Sequence, residues 1–273
     1  ADGGPAVDYT VNTEVGITAL TGPADTDTPV NHVLPAWDLI AGMTATTGLL
    51  AALRHRDRTG EGSDLALALA DVALAGVANM GWLTEAREQG DRPRHGNYMY
   101  GTFGVDFVAG DGARVMVVAL TGRQWQALCA ATGITDAAVS VATVLGADFT
   151  DEAQRYEHRE VLAALMRPWF AARTGAEVAD GLDAAGVLWS RYRRVSDVVA
   201  DLAAGRSSAV VVEVDQPGIG QVISARNPLR ARGDYGPTAV AEGLGDSTDR
   251  VLGEVLGLDA AELARLHDAG VIG

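Results

Sequence analysis

Residues 30–62 constrain the fold more than any other part of the sequence, because they predict one long helix with narrow faces. Between residues 39 and 56, large apolar side chains recur at helical spacing, and alanine or glycine fills many of the remaining positions. Such a helix can approach other backbones closely on several sides, so we expect it in the interior. Asp38 stands where the helix is expected to open, and Gly60 can provide a left-handed C-cap.

Bulk properties favour a globular protein of one large or two modest domains. The chain has 273 residues, and the 48% hydrophobic content excludes a mainly disordered protein. The formal net charge is −15, and every basic residue is an arginine. This charge argues against a nucleic-acid partner, and the lack of lysine excludes Schiff-base and P-loop lysine chemistry. Small anions remain possible ligands at local arginines or helix N-termini.

Three features predict a cytoplasmic protein with no membrane partner. No apolar run is expected to reach the roughly 20 residues of a membrane helix. The first ten residues, ADGGPAVDYT, lack the basic and apolar regions of a signal peptide. The single cysteine, Cys129, excludes an intrachain disulfide framework and is expected to lie in the core.

The pattern of elements predicts an α/β fold, helix-rich at first and α+β afterwards. A strand is expected near residues 63–71 and a helix at 71–89, followed by a linker at 90–97. From Tyr98 a β-hairpin is expected, turned at residues 110–112. The predicted segments are 1–92 as part of a large domain, 93–202 as a small α+β domain, and 203–273 as a return segment on the large domain. Further helices are expected at residues 151–173, 176–185, 248–256 and 260–269, and a strand at 208–214.

Asp38 has two interpretations. As a helix N-cap, its carboxylate would accept backbone N–H bonds and be favoured by the helix dipole. As a catalytic group, it would be a nucleophile toward activated acyl groups, with small or rigid neighbours such as Pro35, Ala36 and Gly42 leaving room for a substrate. Either interpretation accounts for the residue.

Other chemistry-bearing patterns are weak. The five histidines lack metal-ligand spacing to other histidines, cysteines or paired carboxylates, so no metal site is predicted. The run HGNYMYG at residues 95–101 predicts either an interdomain hinge or one wall of a pocket.

Several segments, in order along nearly the whole chain, resemble the class III CoA-transferase family, which also includes α-methylacyl-CoA racemases. They are PAWDLIAGMTATTGLLAALRHRDRTGEG, LALALADVALA, YGTFGVDFVAGDGARVMVVALTGRQWQALCAATG, AAGVLWSRYRRVSDVVAD and STDRVLGEVLGLDAAELARLHDAGVI. In that family an aspartate opens a glycine- and alanine-rich helix, and the matching residue is Asp38. The wording DYTVN, VNHVLPAWDL and DRPRHGNYMYGTFGVDFV is most similar to members that move CoA between the two carboxylates of one dicarboxylic acid, such as mesaconate.

The resemblance implies the C-terminal portion of a class III CoA-transferase fold, without the N-terminal Rossmann-like region that supplies most CoA contacts. It implies CoA transfer through an aspartyl-CoA thioester on Asp38, with CoA as a substrate moiety, no permanently bound cofactor and an interlocked homodimer. The residues matched to the CoA-binding positions of the large domain are Val7, Asp8, Tyr9 and Leu69. The residues expected around the acyl group are Trp37, Asn97, Tyr98, Tyr100 and Gly101.

Two departures bear on the reaction type. Racemase members use a histidine and a glutamate at positions that match Pro5 and Thr121 here, and neither residue can exchange protons in those roles. The resemblance therefore favours a transferase. An intermolecular transferase with a free acid as acceptor, a racemase and a non-catalytic piece of a complex remain the alternatives.

Overall fold

The computed structural model describes residues 4–273, so residues 1–3 of the predicted segment 1–92 lie outside it. The chain divides into two compact units, Ala1–Tyr192 and Arg193–Gly273. The three predicted segments, 1–92, 93–202 and 203–273, stay a prediction.

Five helices open the first unit. They are α1 (Asp8–Glu14), α2 (Ile17–Leu20), α3 (Ala36–Thr59), α4 (Leu69–Asn79) and α5 (Trp82–Gln89). Val11, Trp37, Ala73 and Val77 are buried together, so α1, α3 and α4 share a small apolar core. Burial of these side chains supplies the main favourable free energy that holds the three helices together.

Helix α3 begins earlier than its sequence pattern indicates. Pro35 occupies the N-cap with φ −73°, and Asp38 is the third residue of the helix rather than its cap. The cap interpretation of Asp38 is therefore wrong, because the fixed φ of proline starts the helix upstream of the aspartate. The predicted end is confirmed: Gly60 has φ +80° and its N–H donates to the carbonyl of Arg56 at 2.8 Å.

The expectation that α3 lies in the interior is also wrong for this chain. Trp37 is the one buried residue of the helix, whereas Leu39, Met43 and Leu50 are 51–64% exposed. Helices α1 and α4 pack against α3 but leave most of its length uncovered. The small side chains of α3 allow another backbone to approach closely on several faces. They do not determine whether another element of this chain packs there.

Helix α3 also corrects the expectation that no apolar run reaches membrane-spanning length. Among residues 4–273 it is the one helix that meets the test by length and composition, with a mean hydropathy of 1.3 over 18 residues. A pair of shorter helices, bent by 119° at residues 133–134, meets it jointly. Soluble core helices meet the same test, so this finding alone identifies no membrane span.

The segment between α3 and α5 differs from its prediction. Residues 61–68 form no paired strand, and α4 begins at Leu69. The predicted helix at 71–89 is two helices, because the chain turns at Gly81, which has φ +78°. The alternation of leucines at 65, 67 and 69 predicted a strand, but a strand needs a hydrogen-bonding partner, and Leu69 belongs to α4.

The rest of the first unit is a small α+β part, in which the predicted helix at 151–173 is divided into two helices at His158. Its elements are β1 (Phe103–Val108), β2 (Arg114–Ala119), α6 (Gly122–Thr132), α7 (Thr135–Leu145), α8 (Glu152–Glu157), α9 (Arg159–Ala171), α10 (Gly175–Ala184) and β3 (Leu188–Arg191). The predicted hairpin is confirmed: β1 and β2 pair antiparallel from Phe103↔Ala119 to Val108↔Arg114, and β3 joins on the far side of β2. Gly112 in the turn has φ +84°, which glycine adopts readily.

The core of this part lies between the sheet and the helices. Phe107 of β1 stacks on Phe170 of α9 with ring centroids 4.1 Å apart. Leu128 of α6 and Leu182 of α10 are fully buried in the same cluster. Cys129 is buried here as predicted.

The second unit has two hairpins and three helices. Its elements are α11 (Val195–Ala203), β4 (Val211–Gln216), β5 (Gly220–Ala225), β6 (Arg230–Ala231), β7 (Asp234–Tyr235), α12 (Thr248–Leu256) and α13 (Ala260–Asp268). The predicted strand at 208–214 and the helices at 248–256 and 260–269 correspond to β4, α12 and α13. In the residues described, helices α11, α12 and α13 have no fully buried side chain.

We predict that Phe170→Ala destabilises the first unit by about 3–5 kcal/mol, because it removes a fully buried ring and leaves a cavity against Phe107. Urea unfolding followed by circular dichroism measures the loss. The matched control is Val144→Ala, at a position 84% exposed, which should change the free energy of unfolding by less than about 0.5 kcal/mol. An equal effect of the two substitutions would contradict the assignment of the core.

Candidate active site at the start of helix α3

Asp38 lies in the first turn of α3, where backbone N–H groups point away from the helix without intrahelical acceptors. Its side chain is exposed, and no other described residue forms a hydrogen bond or ion pair with it. The start of a helix has partial positive charge, which attracts the negative charge of a carboxylate. The site therefore presents an accessible anionic oxygen nucleophile.

Asp8 of α1 takes over the capping role in α3. Its Oδ2 accepts a hydrogen bond from the backbone N–H of Trp37 at 2.7 Å, and only 2% of Asp8 is exposed. Trp37 is the second residue of α3, and this N–H is one that an N-cap side chain normally satisfies. Because Pro35 has no side-chain acceptor, the carboxylate that completes the helix start comes from a residue 29 positions earlier.

A short chain of buried hydrogen bonds extends this contact. The indole Nε1 of Trp37 donates to Asn12 Oδ1 at 3.0 Å, and Asn12 Nδ2 donates to Asn31 Oδ1 at 2.8 Å. The helix start is thereby tied both to α1 and to the loop that precedes it. Asp8 Oδ1 is buried and has no hydrogen-bond partner among the described residues.

The loop from α2 to α3 is fastened by Arg94, which sequence reasoning missed. Its guanidinium donates to the carbonyl oxygens of Ala19 at 2.8 Å, Thr26 at 2.8 Å and Thr28 at 2.6 Å. One side chain thus holds the end of α2 and two points of the loop that leads to Asp38. The loop composition predicted an irregular segment, but no local pattern connects it to an arginine in the linker at 90–97.

The residues predicted to bind CoA do not all present their side chains to solvent. Val7 and Tyr9 are 60% and 47% exposed, whereas Asp8 is occupied in capping α3. Leu69 is half-buried against the cluster that contains Trp37. The CoA-binding role of these four residues stays a prediction.

Besides Trp37, four residues are predicted to surround the acyl group, and they line two different clefts. Asn97 and Tyr98 line a cleft of about 480 Å³, and Tyr100 and Gly101 line a second one of about 280 Å³. His95 belongs to both clefts. Their role in substrate binding stays a prediction.

In the first of these clefts, polar side chains are already paired. Asn97 Nδ2 donates to Asp106 Oδ1 at 3.0 Å, and the Tyr98 hydroxyl donates to Glu160 Oε2 at 2.9 Å. Burial, together with the hydrogen bond to Glu160, raises the pKa of Tyr98 to about 12. Tyr98 is therefore a neutral hydrogen-bond donor near pH 7 rather than a base.

One wall of the second cleft consists of one guanidinium and two aromatic rings. The guanidinium of Arg92 lies 5.3 Å from the ring centroid of Trp82 and 5.1 Å from that of Tyr100. Trp82 packs in turn against the cluster containing Trp37. Tyr100 is thus connected to the start of α3 through Trp82, while no described contact joins Asp38 directly to residues 97–101.

Two other groups can be placed by their surroundings. Burial raises the pKa of the Cys129 thiol to about 12, so the thiol is not a nucleophile near neutral pH. Among residues 4–273, no group of three or more His, Cys, Asp and Glu side chains is arranged to hold a metal ion.

Comparison with known proteins identifies a matching protein family. Residues 1–242 match the family described as CoA-transferase family III. A curated relative from Chloroflexus aurantiacus, 2-methylfumaryl-CoA isomerase, is 46% identical over 99% of this chain and 67% of its own length. Succinyl-CoA:mesaconate CoA-transferase from Haloarcula marismortui is 29% identical over 84% of this chain and 55% of its own length.

Solved structures agree on the fold. A CAIB/BAIF family protein from Brucella suis superposes with a TM-score of 0.67 at 22% identity, over 92% of this chain and 64% of that one. This likeness confirms the predicted fold class, a mixed α/β chain with a helix-rich part and a small α+β part. The chain spans roughly two thirds or less of the length of these relatives.

We predict that Asp8→Ala lowers the free energy of unfolding by about 1–3 kcal/mol, because it removes a helix cap and leaves the buried Trp37 N–H without an acceptor. Asp8→Asn retains an oxygen acceptor and should lose less. Chemical denaturation of the complete protein measures both. The control Asp25→Ala, at an exposed loop carboxylate, should be nearly neutral, and an Asp8→Ala as neutral as this control would contradict the capping role.

We also predict that Cys129 reacts with iodoacetamide at pH 8 far more slowly in the folded protein than after denaturation, because its raised pKa keeps the thiol protonated and burial blocks access. Mass spectrometry of timed samples measures the alkylated fraction. Equal rates in the folded and the unfolded protein would show that the site opens readily.

Proposed function

The chain belongs to CoA-transferase family III, and from this premise we propose that the complete protein transfers CoA between carboxylates by covalent catalysis at Asp38. The observation that carries the proposal is the exposed, unpaired carboxylate in the first turn of α3, held in place through Asp8. It is the residue that the family resemblance matches to the catalytic aspartate.

The proposed reaction is balanced in four steps. Asp38 attacks the acyl carbonyl of a CoA thioester, forming an acyl–aspartyl anhydride and releasing the CoA thiolate. The thiolate attacks the aspartyl carbonyl, forming an aspartyl-CoA thioester and releasing the acid as its carboxylate. An acceptor carboxylate then attacks this thioester, and the thiolate released again attacks the acceptor carbonyl, restoring Asp38. No oxidant and no net proton transfer are needed.

The geometry of α3 suits the first step. A carboxylate oxygen is a competent nucleophile toward an activated acyl group. An exposed position lets a thioester reach it, while the bond from Asp8 to Trp37 fixes the turn that carries it. A fixed nucleophile needs less ordering as the transition state forms.

For the substrate, we propose a small dicarboxylyl-CoA such as mesaconyl-CoA, with CoA exchanged between the two carboxylates of one bound acid. The 46% identity to a protein named 2-methylfumaryl-CoA isomerase supports this choice. In an intramolecular exchange, the acid released in the second step is also the acceptor of the third. CoA enters as part of the substrate, and no permanently bound cofactor is part of the proposal.

An intermolecular transferase is the second candidate, favoured by the relatives named for transfer from succinyl-CoA to mesaconate and from formyl-CoA to oxalate. The two candidates differ in whether free acid exchanges with the bound acyl group. Turnover of mesaconyl-CoA with ¹³C-labelled free mesaconate decides between them. Label in the CoA ester supports the intermolecular reaction, and its absence during isomerisation supports the intramolecular one.

A racemase is less well supported. Thr121, which matches the racemase glutamate, caps α6 by accepting a hydrogen bond from the N–H of Gln124 at 3.3 Å. Pro5 has no titratable group. Incorporation of solvent deuterium at the α-carbon of a 2-methylacyl-CoA would support a racemase against this proposal.

The proposal also includes an additional Rossmann-like CoA-binding part and an interlocked homodimer, both drawn from the family resemblance. The exposed apolar side chains along α3 support them, because a face of this kind is normally covered in an active enzyme. Light scattering of the complete protein tests the dimer. If this chain proves inactive without a partner, the alternative of a non-catalytic piece is favoured. A cytoplasmic location stays a prediction.

We predict that the complete protein, mixed with mesaconyl-CoA and then hydroxylamine, carries a hydroxamate on Asp38, because hydroxylamine cleaves an aspartyl thioester. Intact mass followed by peptide mapping locates the adduct. Asp38→Ala should abolish both the adduct and turnover, a loss of at least about 10³-fold expected when a covalent nucleophile is removed.

Asp25→Ala is the matched control, since it removes an exposed carboxylate outside α3. It should form the adduct at the rate of the unchanged protein. Turnover without any adduct on Asp38 would overturn the covalent mechanism while leaving the family assignment in place.

A further inference from the structure

The smaller of the two clefts near residues 95–101 has an unpaired cation. We call it the Arg159 cleft and define it by Glu85, Arg92, His95, Tyr100, Tyr156 and Arg159; its volume is about 280 Å³. All of these residues belong to the first unit. Neither the family motifs nor the names of the relatives assign a role to Arg159.

Arg159 is held rigidly and is not neutralised. Its guanidinium lies 4.4 Å from the ring centroid of Tyr156 and 5.5 Å from that of Tyr98, and its Nη1 donates to the carbonyl of Tyr156 at 2.9 Å. No carboxylate among the described residues forms an ion pair with it, and its Nε is buried without a partner. A half-buried guanidinium of this kind keeps free donors that favour a planar anion.

The other arginine in the cleft is already neutralised. Arg92 forms a two-point ion pair with Glu85, with Nε 3.1 Å from both carboxylate oxygens and Nη2 2.5 Å from Oε2. The cleft therefore has one uncompensated positive charge. That charge matches a monoanion such as a carboxylate better than a phosphate dianion, which would also meet the Glu85 carboxylate.

His95 provides neutral hydrogen bonding beside this charge. Its ring nitrogens lie 3.0 Å from the Tyr156 hydroxyl. Burial lowers the pKa of His95, and the nearby charges of Arg159 and Arg92 lower it further, so the ring is neutral at pH 7.

We propose that the Arg159 cleft binds the free carboxylate of a small organic acid, with Arg159 as the anion-binding residue. This inference rests on the proposed function, for which it identifies the subsite that distinguishes a dicarboxylyl-CoA from a monocarboxylyl-CoA. The carboxylate belongs either to the free acid or to the acyl group of a CoA ester, and the two share the same chemistry.

The position of the cleft agrees with this role. Tyr100 forms one wall, and its ring meets Trp82 edge-on with centroids 6.3 Å apart. Trp82 packs against the cluster containing Trp37, the neighbour of Asp38. A volume of about 280 Å³ accommodates a short acid but not the whole of CoA, so the rest of a CoA ester must lie outside it.

The test compares two ligands of the same carbon skeleton with the complete protein. Mesaconyl-CoA has a free carboxylate, and tiglyl-CoA has a methyl group in its place. Isothermal titration should show that Arg159→Gln weakens mesaconyl-CoA binding by about 10- to 100-fold, the loss of a charge-assisted hydrogen bond. Tiglyl-CoA binding should change by less than about 2-fold. Free mesaconate, titrated in the same way, shows whether the acid alone occupies the cleft.

Arg123→Gln is the matched control, since it removes the same charge from an exposed arginine on α6 without affecting the cleft. It should alter neither affinity. Arg159→Lys retains the charge without the planar fork and should show a smaller, equally selective loss, which also serves if Arg159→Gln fails to fold. Equal weakening of both esters would place a CoA phosphate in the cleft and overturn the proposal, as would an unchanged affinity for mesaconyl-CoA.

Failure of this inference is distinguishable from failure of the proposed function. If Arg159→Gln binds mesaconyl-CoA normally and the hydroxamate forms on Asp38, the proposed carboxylate site is overturned and the covalent mechanism stands. If mesaconyl-CoA binding depends on Arg159 but no adduct forms on Asp38 in the unchanged protein, the proposed carboxylate site stands and the covalent mechanism is overturned.

Discussion

The hydrogen bond from the Trp37 backbone N–H to Asp8 is the contact on which the arrangement at the start of α3 depends. A helix that begins at a proline has no side-chain acceptor of its own for its first donors, and a buried donor without an acceptor is costly. Asp8 solves this problem from another helix. This hydrogen bond joins two parts of the chain that are far apart in sequence. It leaves Asp38, the residue after Trp37, exposed in the first turn of α3. Asn12 and Asn31 extend the same network, so the start of α3 is hydrogen-bonded to α1, which in turn is hydrogen-bonded to the preceding loop.

Arginine does several different jobs in this acidic chain, and each depends on the shape of the guanidinium. Arg94 uses Nε and Nη1 to hold one carbonyl group of α2 and two of the loop that follows it. Arg92 contacts two aromatic rings while pairing with a carboxylate. A lysine ammonium could not reproduce either geometry, because its donors radiate from a single nitrogen. Strong net negative charge therefore coexists with an unpaired guanidinium at Arg159, since the charge at short range is set by neighbours rather than by the total.

Local patterns predicted the elements well and their surroundings poorly. The hairpin at residues 103–119 and the C-cap at Gly60 depend on nearby residues alone, and both agree with the structure. The burial of α3 depends on neighbours that no periodicity reveals, and that expectation was wrong. At the site, the residue pattern singled out Asp38 and the family resemblance suggested its catalytic role, but the capping by Asp8 joins residues 29 positions apart and has no signature in sequence. Arg159 was missed for the same reason: its importance lies in the absence of a counter-ion, which only the folded chain discloses.

The burial of Cys129 has a consequence for a protein that handles activated acyl groups. Thioesters and anhydrides acylate whatever soft or amine nucleophile they meet, and an enzyme that generates them is exposed to its own chemistry. Here the single thiol is enclosed between α6 and its neighbours and stays protonated, and the sequence offers no lysine amine. Histidine, arginine, tyrosine, asparagine and carboxylate side chains line the clefts, and none of these is a thiol or an aliphatic amine. Under the proposed mechanism, a stable thioester or amide with a side chain would therefore have few places to form near the activated acyl group.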